Sequence, residues 1–414
     1  MITQVAETEK PSLPLWHYVP LGEYKVPEAT MAHAIKGGIM GLWNRFRPQK
    51  KRNEDPLRPE ESLQLLTETT LDHIAPEPDC KSASMALKAE LLPWIGKERK
   101  RNPGIFVISP PHGNNAKILT QLAEDLRWRV VSPPTEQEIL GQKREWTDRW
   151  TDQKGPWILP ELERCYLRHA RGLDLVRSFF EKLQSGLLGI GVIGCDSWAW
   201  AYLNQVICGI PSDTYVAQAF DHERLAHWFQ KLSTTKKKKD LLFRQSDDGT
   251  YVLPPPPELA SPSNEAVDLS DFLQNLAAHS LGISGIAWSL WRTALRTVPE
   301  ETILREAAKD GKARLKSTFW VLPWDQLKQL PLPVPMKPAD PLVLHNLLLH
   351  NGLSSDILSR ILPLSSGSVV QALLGLQEMG FLEQKERVWR VSAQGYPAVR
   401  RALHGEGYLV DDLQ

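Results

Sequence analysis

Apolar positions change rhythm several times along the chain, and each change marks an element. Residues 104–109 (GIFVIS) form an unbroken apolar run of strand length, the pattern of a strand covered on both faces. In 117–126 the apolar residues Ile118, Leu119, Leu122 and Leu126 recur at helical spacing. Residues 129–132 and 157–159 read as two more short strands, and 172–184 as a helix with Leu175, Val176, Phe179, Phe180 and Leu183 apolar. A fourth strand is expected at 187–194 (LLGIGVIG) and a further helix at 220–232. Strands alternating with helices predict a parallel sheet with helices packed on it. Before this run, 82–94 reads as helix. After it, 271–296 is helical and 318–322 is a strand.

Two composition shifts interrupt the pattern. Residues 233–264 hold four consecutive lysines, Lys236 to Lys239, and four consecutive prolines, Pro254 to Pro257, which predict an exposed insertion or linker. Residues 330–341 carry five prolines and read as an interdomain linker. Beyond it, helices are expected at 342–350, 354–361 and 365–379, the second capped by Ser354 and the third ended by Gly380. Two short strands, FLEQ and VWRVS, follow around a charged turn, and a last helix spans 397–404. Three helices and a two-stranded wing are the winged-helix pattern, a relative of the helix-turn-helix.

Composition narrows the function classes. The 414 residues suffice for two or three domains. Lys+Arg and Asp+Glu are both 49, so no global charge draws the chain to nucleic acid or anionic lipid. The four cysteines, Cys80, Cys165, Cys195 and Cys208, form no C-x-x-C pair, which argues against a zinc site or disulfide framework. Residues 1–10 lack a signal-peptide core, and no apolar run of about 18 residues occurs, so a cytoplasmic protein without a transmembrane segment is expected. The histidines show no metal-ligand spacing and no G-x-S-x-G elbow exists, so no metal site or hydrolase is indicated. Locally, Arg45, Arg47, Lys50, Lys51 and Arg52 follow the weakly amphipathic stretch 31–47. That stretch is either a docking element for a partner, a membrane surface or nucleic acid, or a solvated basic loop. Lys236, Lys237, Lys238 and Lys239 either touch phosphate or sit on a solvated loop.

Candidate chemistry centres on the turn after 104–109. Strand, Pro- and Gly-containing turn and helix are laid out as in a P-loop, G-x-x-x-x-G-K-[ST]. In a P-loop the backbone N–H groups cradle phosphates, the lysine neutralises β/γ oxygens and the hydroxyl holds Mg²⁺. Here the turn is Ser109-Pro-Pro-His112-Gly113-Asn114-Asn115-Ala116-Lys117. With Ile118 and Leu119 opening the helix, Asn115 stands at the lysine position and Ala116 at the hydroxyl position. A neutral amide does not replace an ammonium, and a methyl cannot ligate Mg²⁺. Lys117 lies two residues late, about 200° around the helix. A shifted loop that rescues Lys117 is the alternative.

With the segment 155–168 (GPWILPELERCYLR), this layout resembles the Walker A and Walker B arrangement of AAA+-like and STAND-type bacterial ATPases. The resemblance implies ATP and Mg²⁺ as the family's cofactors, and a strand ending in an acidic pair. Pro160 takes the first acidic position. Glu161 and Glu163 either serve in part, or Glu163 and Arg164 are a surface pair. Asp196 or Ser197 falls where the family places a polar sensor. Residues 221–232 and 282–295 resemble its helical lid, and a winged helix after the lid resembles origin-recognition-type ATPases. The likeness spans about residues 85 to 410 and rests on layout. It implies an α/β fold: a P-loop-NTPase-like parallel sheet with a helical lid, then a winged-helix domain. The implied division is an irregular N-terminal extension with a basic stretch (1–85), a degenerate P-loop domain (86–232), a Lys/Pro-rich insertion or linker (233–264), a lid and strand (265–330) and the winged helix (342–414).

DNA reading by the last unit is disfavoured. Its third helix has no Lys or Arg, and residues 342–414 hold six basic against seven acidic side chains. Phosphate contacts supply most DNA affinity, and only Lys385, Arg387 and Arg390 in the wing offer them. The leading expectation is a non-catalytic adaptor or subunit with no cofactor, whose partner is an active ATPase paralogue, a second copy or another protein. A regulator that retains ATP and a DNA-binding regulator are the alternatives.

Overall fold

The computed structural model describes residues 14–27, 60–95, 104–141, 145–151, 155–210, 213–233, 241–256, 268–299, 318–330 and 336–413. Within them the strands are β1 (Tyr18–Pro20), β2 (Gln64–Leu65), β3 (Gly104–Ser109), β4 (Arg129–Val130), β5 (Trp157–Leu159), β6 (Gly191–Asp196), β7 (Thr214–Ala217), β8 (Leu242–Gln245), β9 (Leu295–Thr297), β10 (Thr318–Val321), β11 (Leu382–Lys385) and β12 (Val388–Val391). They sort into three sheets.

The main sheet runs β1-β7-β3-β6-β5-β4, with β1 antiparallel to β7 and every other pair parallel. The fold is thus α/β with a parallel-dominated sheet. After β1 at one edge, the chain takes the centre on β3, leaves for the far edge at β4, and returns through β5 to β6. It then crosses β3 to reach β7. Connections leaving β3 and β6 diverge, so the crevice outside their carboxyl ends is a topological switch point, where open α/β sheets bind ligands.

Helices cover both faces, which is why these strands read as continuous apolar runs. On one face Ile105, Val107, Ile158 and Val192 pack against Leu87 and Leu91 of α2 (Lys81–Pro93) and Ile118 and Leu122 of α3 (Asn115–Leu126). A short helix α1 (Glu68–Ile74) precedes them. Past β4 come α4 (Glu136–Leu140), closed by a Thr135/Glu138 capping box, and α5 (Glu145–Thr151). On the second face Phe106, Trp157 and Ile193 meet α5, α6 (Asp174–Gln184) and α7 (Ser197–Val206). Trp146, Trp150, Trp157 and Phe179 interlock there with ring centroids 4.7–6.3 Å apart. A side chain at Gly191 would sit 2.3 Å from the Trp157 ring, so the strand needs glycine to admit the indole.

The fourth strand begins later than 187–194 predicts: 187–190 turns, and the strand is Gly191–Asp196. The helix 271–296 is two helices, α9 (Phe272–His279) and α10 (Ser284–Ala294), broken where Gly282 takes φ +67°. With α8 (His222–Ser233) they pack on a second sheet, β2-β9-β10-β8. This sheet was not foreseen. Its strand β8 lies inside the segment read as an insertion, and β2 inside the extension read as irregular. Lys236–Lys239, and Arg45, Arg47, Lys50, Lys51 and Arg52, lie outside the described residues.

The C-terminal unit holds α11 (Asp340–Leu349), α12 (Ser355–Ile361), α13 (Ser366–Glu378), the hairpin β11–β12 and α14 (Tyr396–Gly405). Ser354 and Ser365 cap α12 and α13 through their side chains. The hairpin tip places Glu386 and Arg387 at φ 50° and 67°. Two positive φ values suit the twist of a two-residue turn. The unit's core is continuous with Leu167, Trp198, Ile283 and Ile286 of the rest of the chain.

Candidate functional site

At the carboxyl ends of β3 and β6 lies a cavity of about 280 Å³. The turn 109–117 forms its floor, since His112, Gly113, Asn114, Asn115, Ala116 and Lys117 all line it. Glu161 and Glu163 follow β5, and Asp196 ends β6. The topology therefore brings together candidate residues up to 84 positions apart, from His112 to Asp196. Ser197 is buried beside it and donates to the Asp411 carboxylate at 2.6 Å.

The turn is held by contacts within the chain. His112 and Asn114 take φ 66° and 60°, a left-handed backbone that L-residues seldom adopt. Gly113 is required, because a Cβ there would lie 2.0 Å from Ser109 Oγ. Helix α10 presses on the turn through Gly285, whose Cβ would sit 2.2 Å from the His112 carbonyl. Helix α3 starts at Asn115, the residue at the lysine position. Its amide donates to the Val107 carbonyl at 2.9 Å and so turns back onto β3. Ala116 offers only a methyl, and Lys117, which is exposed, ion-pairs with Glu77.

Acidic groups dominate the walls. Glu163 is buried and its carboxylate accepts from the Asp196 amide at 3.1 Å. Burial pushes Glu163 up to about 7, helped by the charge of Glu161. Burial, with Glu163 beside it, also raises Asp196 well above the carboxylate range. Asp196 caps α7 by accepting from the Trp198 amide at 3.0 Å. Glu161 stays partly open and approaches Arg164 at 3.5 Å.

The rest of the wall comes from the C-terminal unit and had no signature in the sequence. Leu347, Leu348, Asn351 and Gly352 at the end of α11, and Glu383, Arg390 and Val391 of the hairpin, complete the lining. His112 is bonded to the Val391 backbone, and burial lowers its imidazole to about 4. Of the wing cations, only Arg390 reaches the cavity; its Nε is buried without a hydrogen-bond partner. Lys385 and Arg387 stand exposed at the hairpin tip. No group of three or more His, Cys, Asp or Glu side chains among the described residues could hold a metal ion. Among these residues, no helix is long and apolar enough to cross a membrane.

No protein-family model matches the chain, and no curated protein matches it in sequence. Among solved structures, it is similar to the RuvB Holliday junction branch migration motor of Thermotoga maritima, at 13% identity and TM-score 0.29 over 80% of this chain and 95% of that one. It is similar to Cdc6p of Pyrobaculum aerophilum, at 11% identity and TM-score 0.32 over 81% and 97%. The Aeropyrum pernix ORC2 protein matches at 11% identity and TM-score 0.30 over 86% and 97%. Likeness this slight carries nothing about the chemistry, which rests on the residues themselves.

Proposed function

We propose that this chain is a P-loop-ATPase-like protein whose site no longer serves nucleotide, and that it acts as an adaptor or subunit through protein contacts. The observation that carries the reading is the start of α3. Where a triphosphate needs an ammonium, Asn115 offers a neutral amide already spent on Val107. Where Mg²⁺ needs a hydroxyl, Ala116 offers none. Lys117 is engaged with Glu77 on the surface. Four carboxyls, Glu161, Glu163, Asp196 and Glu383, line the same cavity against Arg390 and a Lys117 already paired with Glu77, so the residues present do not fit a magnesium–triphosphate. No step through such a group is derived.

The C-terminal unit, read as a winged helix, is assigned to a protein partner. The outer face of α13 presents Val370 and Leu374, 43% and 53% exposed, with Gln371 and no cation. Apolar exposed positions without phosphate-binding side chains suit a protein surface better than DNA. The partner class is an active paralogue of the same fold or a second copy of this chain. Phosphate release from Mg²⁺–ATP tests the catalytic half of the proposal. The wild-type rate should equal that of Glu163→Gln and of buffer alone. Turnover that Glu163→Gln abolishes would refute it and favour the reading in which Glu161 and Glu163 still support a nucleotide.

A further inference from the structure

Two cavities meet at the carboxyl ends of the main sheet. The first, of about 280 Å³, lies between the turn 109–117 and the C-terminal hairpin. A second, of about 420 Å³, lies between α3 and the end of β4. Thr120, Gln121 and Glu124 wall it on one side, and Val130, Val131 and Pro133 on the other. Ala116, Lys117 and Glu161 line both cavities, so the two form one groove from the hairpin to the sheet edge. Strand β4 ends the sheet, and among the described residues no strand lies beyond it; Val130 is 43% exposed there.

The chemistry changes along the groove. At the hairpin end four carboxyls, Glu161, Glu163, Asp196 and Glu383, face Arg390 and a Lys117 paired with Glu77. Glu163 and Asp196 are buried, yet the groups that hold them are neutral: the Asp196 and Trp198 amides and the Asn351 side chain. Burial raises both carboxyls, and a positive group beside them would favour their ionised forms. Among the described residues these carboxyls form no group that could hold a metal ion. A guanidinium or ammonium, with several N–H donors spread in space, suits them instead. The β4 end is mainly apolar, through Val130, Val131, Pro133 and Pro160.

We infer that this groove receives an extended segment of a partner protein, which puts an Arg or Lys between the turn and the hairpin and an apolar side chain beside β4. Charge complementarity sets the first position and the apolar wall the second. Nucleic acid would meet the carboxyls with its phosphates, and a free polyamine would leave the apolar end unfilled. The inference rests on the reading of this chain as an adaptor, and it names the chemistry of the partner.

Fluorescence anisotropy of labelled peptides on the full-length protein tests it. Leu-Val-Arg-Arg-Val-Leu offers arginine beside apolar side chains in either chain direction. It should bind about tenfold tighter, or more, than Leu-Val-Glu-Glu-Val-Leu and than Gly-Ser-Arg-Arg-Ser-Gly. Glu161→Gln/Glu383→Gln alters side chains that solvent already reaches and should weaken the arginine peptide by about fivefold to thirtyfold, the loss of two partly exposed ion pairs. Val130→Ser should narrow the preference over the Gly-Ser peptide and leave the preference over the Glu peptide. Equal binding of the three peptides, or binding that the double variant leaves unchanged, overturns the inference. So does spermidine that displaces the peptide at equal concentration, which would make this a site for a free organic cation. Self-association that the double variant abolishes would make the occupant a second copy and overturn it too. Calorimetric binding of ATP with the peptide preference intact would sink the nucleotide-free reading and leave the groove standing; no preference and no ATP binding would sink the groove alone.

Discussion

Asn115, which on the proposed reading stands where a cation is needed, also stabilises the structure. Its bond to Val107 ties the first turn of α3 to the strand below. Asn115→Ala should cost about 1 kcal/mol, read by urea unfolding, because a part-buried carbonyl loses its donor. The buried histidines make a sharper prediction. The Arg168 amide can only donate, so His350 Nε2 accepts and Nδ1 carries the proton to Glu163. His345 likewise accepts from Arg168 and donates to Leu409. Both must be neutral, and burial holds them, with His112, near 4 rather than 6.5. Between those values the unfolded chain binds more protons, so their contribution is complete above about 6.5 and is lost as pH falls toward 4. Glu163 runs the opposite way: its folded value of about 7 exceeds 4.5, so its contribution is present below 4.5 and lost as pH rises through 7. Asp196, raised in the same sense by burial, sides with Glu163 against the histidines, so the wild-type profile is a balance that a variant must read. Removing one of these carboxyls with Glu163→Gln should make the change in melting temperature from pH 4.5 to 6.5 more positive than in wild type; identical profiles in the two proteins would contradict the assignment. Residues 112–117 were legible because strand, turn and helix follow each other locally, whereas Glu161, Glu163 and Asp196 were placed only through the resemblance to a known ATPase layout. Arg390 and Asn351 were not, because nothing in sequence shows which surface meets a turn more than 230 positions earlier.

At the scale of elements, legibility followed length and burial. Strand β3 and helices α3 and α6 have long, regular apolar patterns and lie where 104–126 and 172–184 predict them. Strand β7 was missed, although Thr214-Tyr-Val-Ala217 is rich in β-forming side chains, because four residues make a weak signal. Strand β8 was missed because the Lys and Pro runs on either side of it dominate the composition. The break between α9 and α10 was legible in hindsight: Gly282 takes φ +67°, and a Cβ there would approach Ala219 Cβ at 2.7 Å. The contact of α10 with the turn gives a direct test. Gly285→Ala should destabilise the protein by about 1–3 kcal/mol, because the added methyl meets the His112 carbonyl, whose backbone cannot yield cheaply. Denaturation with unchanged midpoint would show that the turn and α10 are not packed as described.

Taken whole, the molecule joins an α/β core, a second sheet with its helices and a C-terminal unit around one cavity. The α/β core could be read from the sequence; the second sheet, and the packing of the C-terminal unit on the rest, could not. That packing has a consequence for nucleic acid. Arg390 is turned into the cavity, and α13 has no cation, so the wing offers only Lys385 and Arg387 to phosphate. Binding of a DNA duplex in low salt should be weak, and Lys385→Ala/Arg387→Ala should reduce its salt slope by no more than about 2. Tight binding with a steeper slope would show that other basic segments dominate.

The central claim is that this site has given up its nucleotide. Calorimetric titration of the full-length protein with ATP and ADP in the presence of Mg²⁺ tests it most directly. The account predicts no binding heat up to millimolar nucleotide. Micromolar binding that Lys117→Ala abolishes would contradict it, showing that the loop shifts, frees Lys117 from Glu77 and restores the cation that Asn115 replaced.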